Sequence, residues 1–210
     1  MGLIMLLSLA LIATCSSLNL GTLEPAEGDY IYRQGGEYAD AFGVYFRQSV
    51  DSAANGVAAT RSGMSASNVP GEGSLSRQQV RYGFLNTTEE MTSGALSVET
   101  DYSRLPRELE LSPGESRSVP IPLRLREADR SEMRTGSLTL THLGCAAYAF
   151  DNRTLKTHRV ELETQRFLLQ GGQVREINTV STFEIAPALG WWVRIPAGDG
   201  APGMVLVEAP

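Results

Sequence analysis

Apolar and polar residues alternate along much of this chain with a period of two, the spacing of a strand that buries one face. The clearest case runs from Val119 to Arg126: Val119, Ile121, Leu123 and Leu125 share one face, and Pro120, Pro122, Arg124 and Arg126 the other. Prolines cannot donate to a ladder, so this strand is expected at a sheet edge. Ser137–Thr141 repeats the alternation through Leu138 and Leu140, and Thr154–Thr164 has the length of a long strand. Phe167–Gln170 and Gln173–Ile177 flank Gly171-Gly172, two residues that accept positive φ, so a hairpin is expected there. Ile177–Ile185 continues as a strand, and Trp191–Ile195 and Met204–Val207 form a last hairpin around Gly198–Gly203. Gln79–Leu85 and Ala95–Glu99 are shorter candidates, while the charged run Arg126–Arg134 reads as a solvated crossover of one helical turn. Turn signals recur about every 8–15 residues and no helical period lasts beyond two turns after residue 17. The pattern predicts a mainly β fold, an antiparallel β-sandwich, immunoglobulin-like or similar.

The amino terminus follows a different rule. Leu3 to Ala13 is apolar throughout except for Ser8. As a helix it would span about 16 Å, half the hydrocarbon core of a bilayer and the usual length of a signal-peptide apolar region. It runs into Leu11-Ile12-Ala13-Thr14-Cys15, an aliphatic residue and two small ones before a cysteine. This resembles the lipobox of bacterial lipoproteins. The resemblance implies that Cys15 is diacylated on its thiol, becomes the mature amino terminus, and fixes the chain to a membrane. Three other outcomes stay open: cleavage near Ala13 or Cys15 with release of a soluble protein, retention of the segment as an uncleaved anchor, and burial as an amino-terminal core helix. Residues 1–15 are therefore expected to be a leader and residues 16–28, with Pro25, a polar tether.

Residues 29–76 are expected to hold aromatic-rich strands and a long loop, and residues 77–210 the sandwich. Tyr30, Tyr32, Tyr38, Phe42, Tyr45 and Phe46 gather six of the fifteen aromatics into one short stretch. Tyr30, Tyr32, Tyr38 and Tyr45 are candidates for partner binding, because tyrosine joins a large apolar ring to a polar tip; ordinary core packing is the alternative. Trp191-Trp192 is a second candidate. Neighbours on a strand point to opposite faces, so one indole is expected in the core and one outward, free to meet a sugar or a partner protein. Ser52–Ser76, rich in Ser, Ala and Gly with turn signals at Asn55-Gly56 and Pro70-Gly71, reads as a linker, a mobile loop or a partner-binding segment. The turn Leu111-Ser112-Pro113-Gly114-Glu115, leading into the alternating strand, is similar to one found in many bacterial immunoglobulin-like domains and implies that fold for the body.

Composition narrows the chemistry. The net charge of −6 and pI near 5.0 exclude the basic footprint of a nucleic-acid binder, and Lys156 is the single lysine among eighteen basic residues. There are two cysteines. If Cys15 is acylated, Cys145 stands alone, and its setting in Cys145-Ala146-Ala147-Tyr148 is that of a small buried hydrophobe. His142 is expected on the strand face of Leu138 and Leu140. His142 and Cys145 offer two ligands, but no second pair follows at a zinc-like spacing, so neither a metal nor another cofactor is expected. Gly198-Asp199-Gly200-Ala201-Pro202-Gly203 matches a phosphate-binding pattern but precedes a strand rather than a helix, so it reads as a hairpin loop. Gly63-Met64-Ser65-Ala66-Ser67 lacks the second glycine of a nucleophile elbow, and Glu161 and Glu163 share an ordinary solvated strand face. Asn86-Thr87-Thr88 and Asn152-Arg153-Thr154 match the glycosylation sequon.

No catalytic residues are assigned from the sequence. The expectation is a non-enzymatic, exported protein of the cell envelope, at the periplasmic side of the outer membrane or the cell surface. It would bind other envelope or assembly proteins and the membrane through its amino terminus, with homo-oligomers possible. The alternatives are a subunit of a pilus, surface layer or virion, and an envelope hydrolase built on His142 or His158.

Overall fold

Strand after strand in this chain has only one apolar face, and the fold resolves this by turning all those faces onto a shared core. The structure is a computed structural model that describes residues 15–34, 45–55, 57–65, 76–83, 85–93, 96–127, 130–170, 173–195 and 203–210. In chain order the strands are β1 (Leu18–Asn19), β2 (Gly28–Gln34), β3 (Tyr45–Ala54), β4 (Val57–Ser65) and β5 (Ser76–Arg81). There follow β6 (Leu85–Asn86), β7 (Thr88–Ser93), β8 (Leu96–Asp101), β9 (Glu110–Leu111) and β10 (Ser116–Glu127). The last are β11 (Arg130–Phe150), β12 (Arg153–Gln170), β13 (Gln173–Ala186), β14 (Trp191–Ile195) and β15 (Met204–Glu208). Short 3₁₀ turns occur at Leu20–Thr22 and Pro187–Leu189. The fold is thus mainly β and antiparallel, as the alternation predicts.

Among the described residues, thirteen strands form one sheet, in the order β6-β5-β4-β3-β2-β15-β14-β13-β12-β11-β10-β8-β7, and β1 pairs separately with β9. Most neighbours are consecutive in the chain, as expected when short turns join antiparallel strands. The two ends of the sheet, β6 and β7, are one stretch of chain joined at Thr87. The Thr87 N–H donates to the Gln79 carbonyl at 2.7 Å, and its carbonyl accepts from the Tyr102 N–H at 2.8 Å. Asn86 pairs with Val80 and Thr88 with Asp101. The sheet therefore returns on itself, satisfying edge groups that would otherwise invite another chain.

Tyr30, Tyr32, Val50, Ala58, Val80, Leu138, Leu140, Val160, Ile185, Trp191, Val193 and Leu206 belong to one buried cluster. Since these residues come from β2 through β5 and β11 through β15, the sheet runs without a break across the boundary expected near residue 76. Val98, Leu123 and Leu125 make a smaller cluster with Phe167 and Val174.

Four expectations are corrected. The polar tether of residues 16–28 is instead packed: Leu18, Leu20 and Leu23 are buried, β1 pairs with β9, and the Leu20 N–H donates to the Leu109 carbonyl. Three leucines at close spacing outweigh the polar residues between them. Gly21 permits that approach, since a Cβ there would lie 1.7 Å from the Arg107 carbonyl oxygen. Most of Ser52–Ser65 is strand rather than loop, because Asn55 takes φ 54° and turns β3 back along β4. Residues 66–75 lie outside the described residues. Arg126, Glu127 and Arg130–Arg134 are not a helical turn but paired ends of β10 and β11; the cross-strand pairing from Glu127↔Arg130 onward decides it. The proline strand is half an edge: β10 pairs with β11 along its length, but with β8 only over Leu123–Glu127. Pro120 and Pro122 occupy the half that has no neighbour on its second side among the described residues, where a missing donor costs little.

The apolar run Leu3–Ala13 lies outside the described residues. Among those described, no helix is long and apolar enough to cross a membrane.

Candidate functional site

Leu138, Leu140 and His142 alternate inward along β11, so the period that buries the leucines also buries the imidazole, which has no exposed surface. Immediately afterwards the β11–β12 register shifts between His142 and Gly144, with Gly144 at φ 110°. This bulge puts Leu143 outward and sets Cys145 opposite His158 on β12. The Pro113-Gly114 turn clamps the same place: the Gly114 N–H donates to the His142 carbonyl at 2.7 Å, and the His142 N–H to the Glu115 carbonyl at 3.0 Å. From the other end of the sequence, the packed segment leading into β1 delivers Cys15.

The four side chains meet at one point. Cys15 and Cys145 are joined by a disulfide, with Cα atoms 5.4 Å apart across 130 residues of sequence. His142 Nε2 lies 3.0 Å from His158 Nδ1, with the rings stacked at 4.9 Å between centroids. Cys15 Sγ is 3.8 Å from His142 Nε2, and Cys145 Sγ is 3.8 Å from His158 Nδ1. One ligand atom from each residue falls within 4.8 Å of every other. On its far side, His142 Nδ1 is 3.2 Å from the Leu111 carbonyl oxygen. A carbonyl only accepts, so Nδ1 carries the proton and Nε2 turns its lone pair to the cluster.

Burial pushes the His158 imidazole down to about 4, with the neighbouring His142 and Lys156 adding to the effect. The sign follows from which state takes up the proton. Between about pH 6.5 and 4 the unfolded ring binds a proton that the folded ring refuses. Stability in the disulfide-closed chain is therefore complete above that window and declines as the pH falls through it, by about 3 kcal/mol. Urea midpoints for wild type and His158→Gln check this: the difference between their pH profiles should be confined to that window, and parallel profiles would refute it.

The structure places the sequence candidates as follows. Cys15 carries the disulfide on the same sulfur that acylation would use, so those two chemistries exclude each other. Tyr30 and Tyr32 are core residues at 1% and 0% exposure, and not a partner-binding surface. Tyr45 is half-buried on β3, and Tyr38 lies outside the described residues. The outward tryptophan is corrected too: Trp191 and Trp192 are both buried, at 1% and 4%. They leave the 3₁₀ turn through Gly190, which has φ 61°, next to a register shift at Glu184/Ile185, so strict alternation does not hold there. Trp192 stacks on Tyr32 at 3.9 Å, and Trp191 lies 5.6 Å from Tyr30. The ligand pair that sequence spacing lacked is Cys15 and His158, which only the β11–β12 pairing and the packed amino-terminal segment bring in.

No family model matches the chain, and no curated protein does. Among solved structures it is similar to the hypothetical lipoprotein YmcC of Escherichia coli K12, with 12% identity, 89% of this chain and 90% of that one covered, and a TM-score of 0.45.

Proposed function

We propose that this chain is exported and acts in the cell envelope as a non-enzymatic β protein with a structural or partner-binding role. One observation carries the reading: an apolar leader runs directly into Cys15, and Cys15 is bonded to Cys145. Disulfides persist in oxidising compartments outside the cytoplasm, so leader and bond point to the same destination. A hydrolase built on the histidines is disfavoured by their placement, since His142 and His158 are sealed from solvent at 0% and 2% exposure and contact each other. Anchoring through an acylated Cys15 is the second reading, favoured by Leu11-Ile12-Ala13-Thr14-Cys15.

The test is the intact mass of the protein from the envelope fraction, alkylated with and without prior reduction. The expected result is a chain lacking the leader, with Cys15 and Cys145 unreactive until reduced. Acyl groups on Cys15 with a reactive Cys145 would establish the anchored form in place of the disulfide. Recovery from the cytoplasm with Met1 or Gly2 retained and both thiols reactive would overturn export altogether.

A further inference from the structure

We infer that Cys15, His142, Cys145 and His158 form a tetrahedral zinc site when the bond between the two cysteines is reduced. The inference goes beyond the envelope reading and does not depend on where the chain resides; it requires only that the Cys15 sulfur is not acylated.

Geometry is the first argument. Zinc holds thiolate sulfur at about 2.3 Å and imidazole nitrogen at about 2.0–2.1 Å. A tetrahedron with those arms has ligand-to-ligand edges of about 3.3–3.8 Å. The nitrogen–nitrogen distance here is 3.0 Å and two sulfur–nitrogen distances are 3.8 Å, so three edges are already close to that figure. What differs is the edge between the sulfurs, which the covalent bond holds closed and reduction would let open.

Charge is the second argument. Two thiolates and two neutral imidazoles around Zn²⁺ sum to zero, which suits a site whose histidines have no water to solvate a net charge. The Leu111 carbonyl, on His142 Nδ1, is the outer partner that a zinc-bound imidazole usually has, and it presents Nε2 as the ligand atom. His158 would ligate through Nδ1, its proton moving to Nε2. Two sulfur and two nitrogen ligands in tetrahedral array favour zinc over the harder, six-coordinate cations.

The chemistry balances with a dithiol as reductant. The dithiol gives two electrons and two protons to the Cys15–Cys145 bond and closes its own disulfide; Zn²⁺ then displaces the two thiol protons. Bond and metal are alternative cross-links between the same residues, so either state ties the amino-terminal segment to β11.

The test uses the full chain, made in a cell-free system that does not acylate, kept in detergent and split into dithiol-reduced and oxidised halves. Zn²⁺ alone is added and measured by native mass spectrometry and competition with a chromogenic chelator. The reduced chain should take up about one Zn²⁺, protect both cysteines from alkylation and melt at a higher temperature than the metal-free reduced chain. The oxidised chain should take up none. His158→Ala and His142→Ala should each weaken binding by at least about tenfold, no less than the loss of an outer partner costs elsewhere. Co²⁺ in the reduced wild type should give a thiolate-to-metal charge-transfer band and strong tetrahedral d–d bands. No uptake by reduced wild type, or equal uptake by the oxidised form, would overturn the inference without a variant having to fold, and neither result bears on export.

Discussion

Cys145→Ser is expected to cost the disulfide-closed protein about 4 kcal/mol of stability. The bond spans 130 residues, and closing a loop of that length removes chain entropy worth nearly 5 kcal/mol on a simple loop model, with measured bonds usually giving about 2–4. The Cα separation of 5.4 Å lies within the ordinary range, so the backbone does not bend to make the link. For a chain of this size each kcal/mol moves the melting temperature by roughly 2–4 °C, so a drop of about 8–16 °C is expected. Scanning calorimetry of oxidised wild type, reduced metal-free wild type and the variant decides it. The last two should melt together, well below the first. If oxidised wild type and the variant melt together, the bond contributes nothing. The loss should also have an address: amide exchange at Leu20, whose N–H donates to the Leu109 carbonyl, should accelerate before exchange in β12 does.

Trp192→Ala is the second large effect, a loss of about 3–5 kcal/mol. Its ring lies flat on Tyr32 at 3.9 Å, with Trp191 and Phe46 at 6.2 and 6.4 Å, and the Tyr32 hydroxyl donates to the Trp192 carbonyl at 3.0 Å. Truncation removes the indole that stacks on Tyr32 and leaves a cavity between β2 and β14, strands that β15 alone separates in the sheet. Chemical denaturation followed by circular dichroism measures it, and Trp192→Phe should retain more than half of the lost stability. A loss under about 1 kcal/mol would mean that the indole faces solvent, as strict strand alternation implies.

Strand positions were legible because burial is one-sided. The alternation of Val119 to Leu125 needs only local residues to be read, and it marks inward positions that the structure fills. What local pattern leaves out is pairing. Nothing in Ser52–Ala54 states that these small residues lie in a ladder; their partners Ala59, Ala58 and Val57 do. The leucines at 18, 20 and 23 read as tether because their partner, Leu109–Leu111, lies some ninety residues away. The cluster is the same lesson in chemistry. His142 and Cys145 are visible as a pair, yet the pair that completes them is split between a leader junction and the middle of β12, and no spacing rule connects those two places.

The pairing of β15 with β2 has a consequence for the order of folding. Val205 lies opposite Arg33, so strands synthesised at the two ends of the body are direct neighbours in the sheet. The hairpins of β2 to β4 cannot gain that neighbour until residue 208 has left the ribosome, and long-range pairing of this kind is slow to form. Under the export proposed above, such a delay would help: the β15–β2 contact would become available only late, leaving the apolar amino-terminal segment time to engage a translocation machinery while the body is still unfolded.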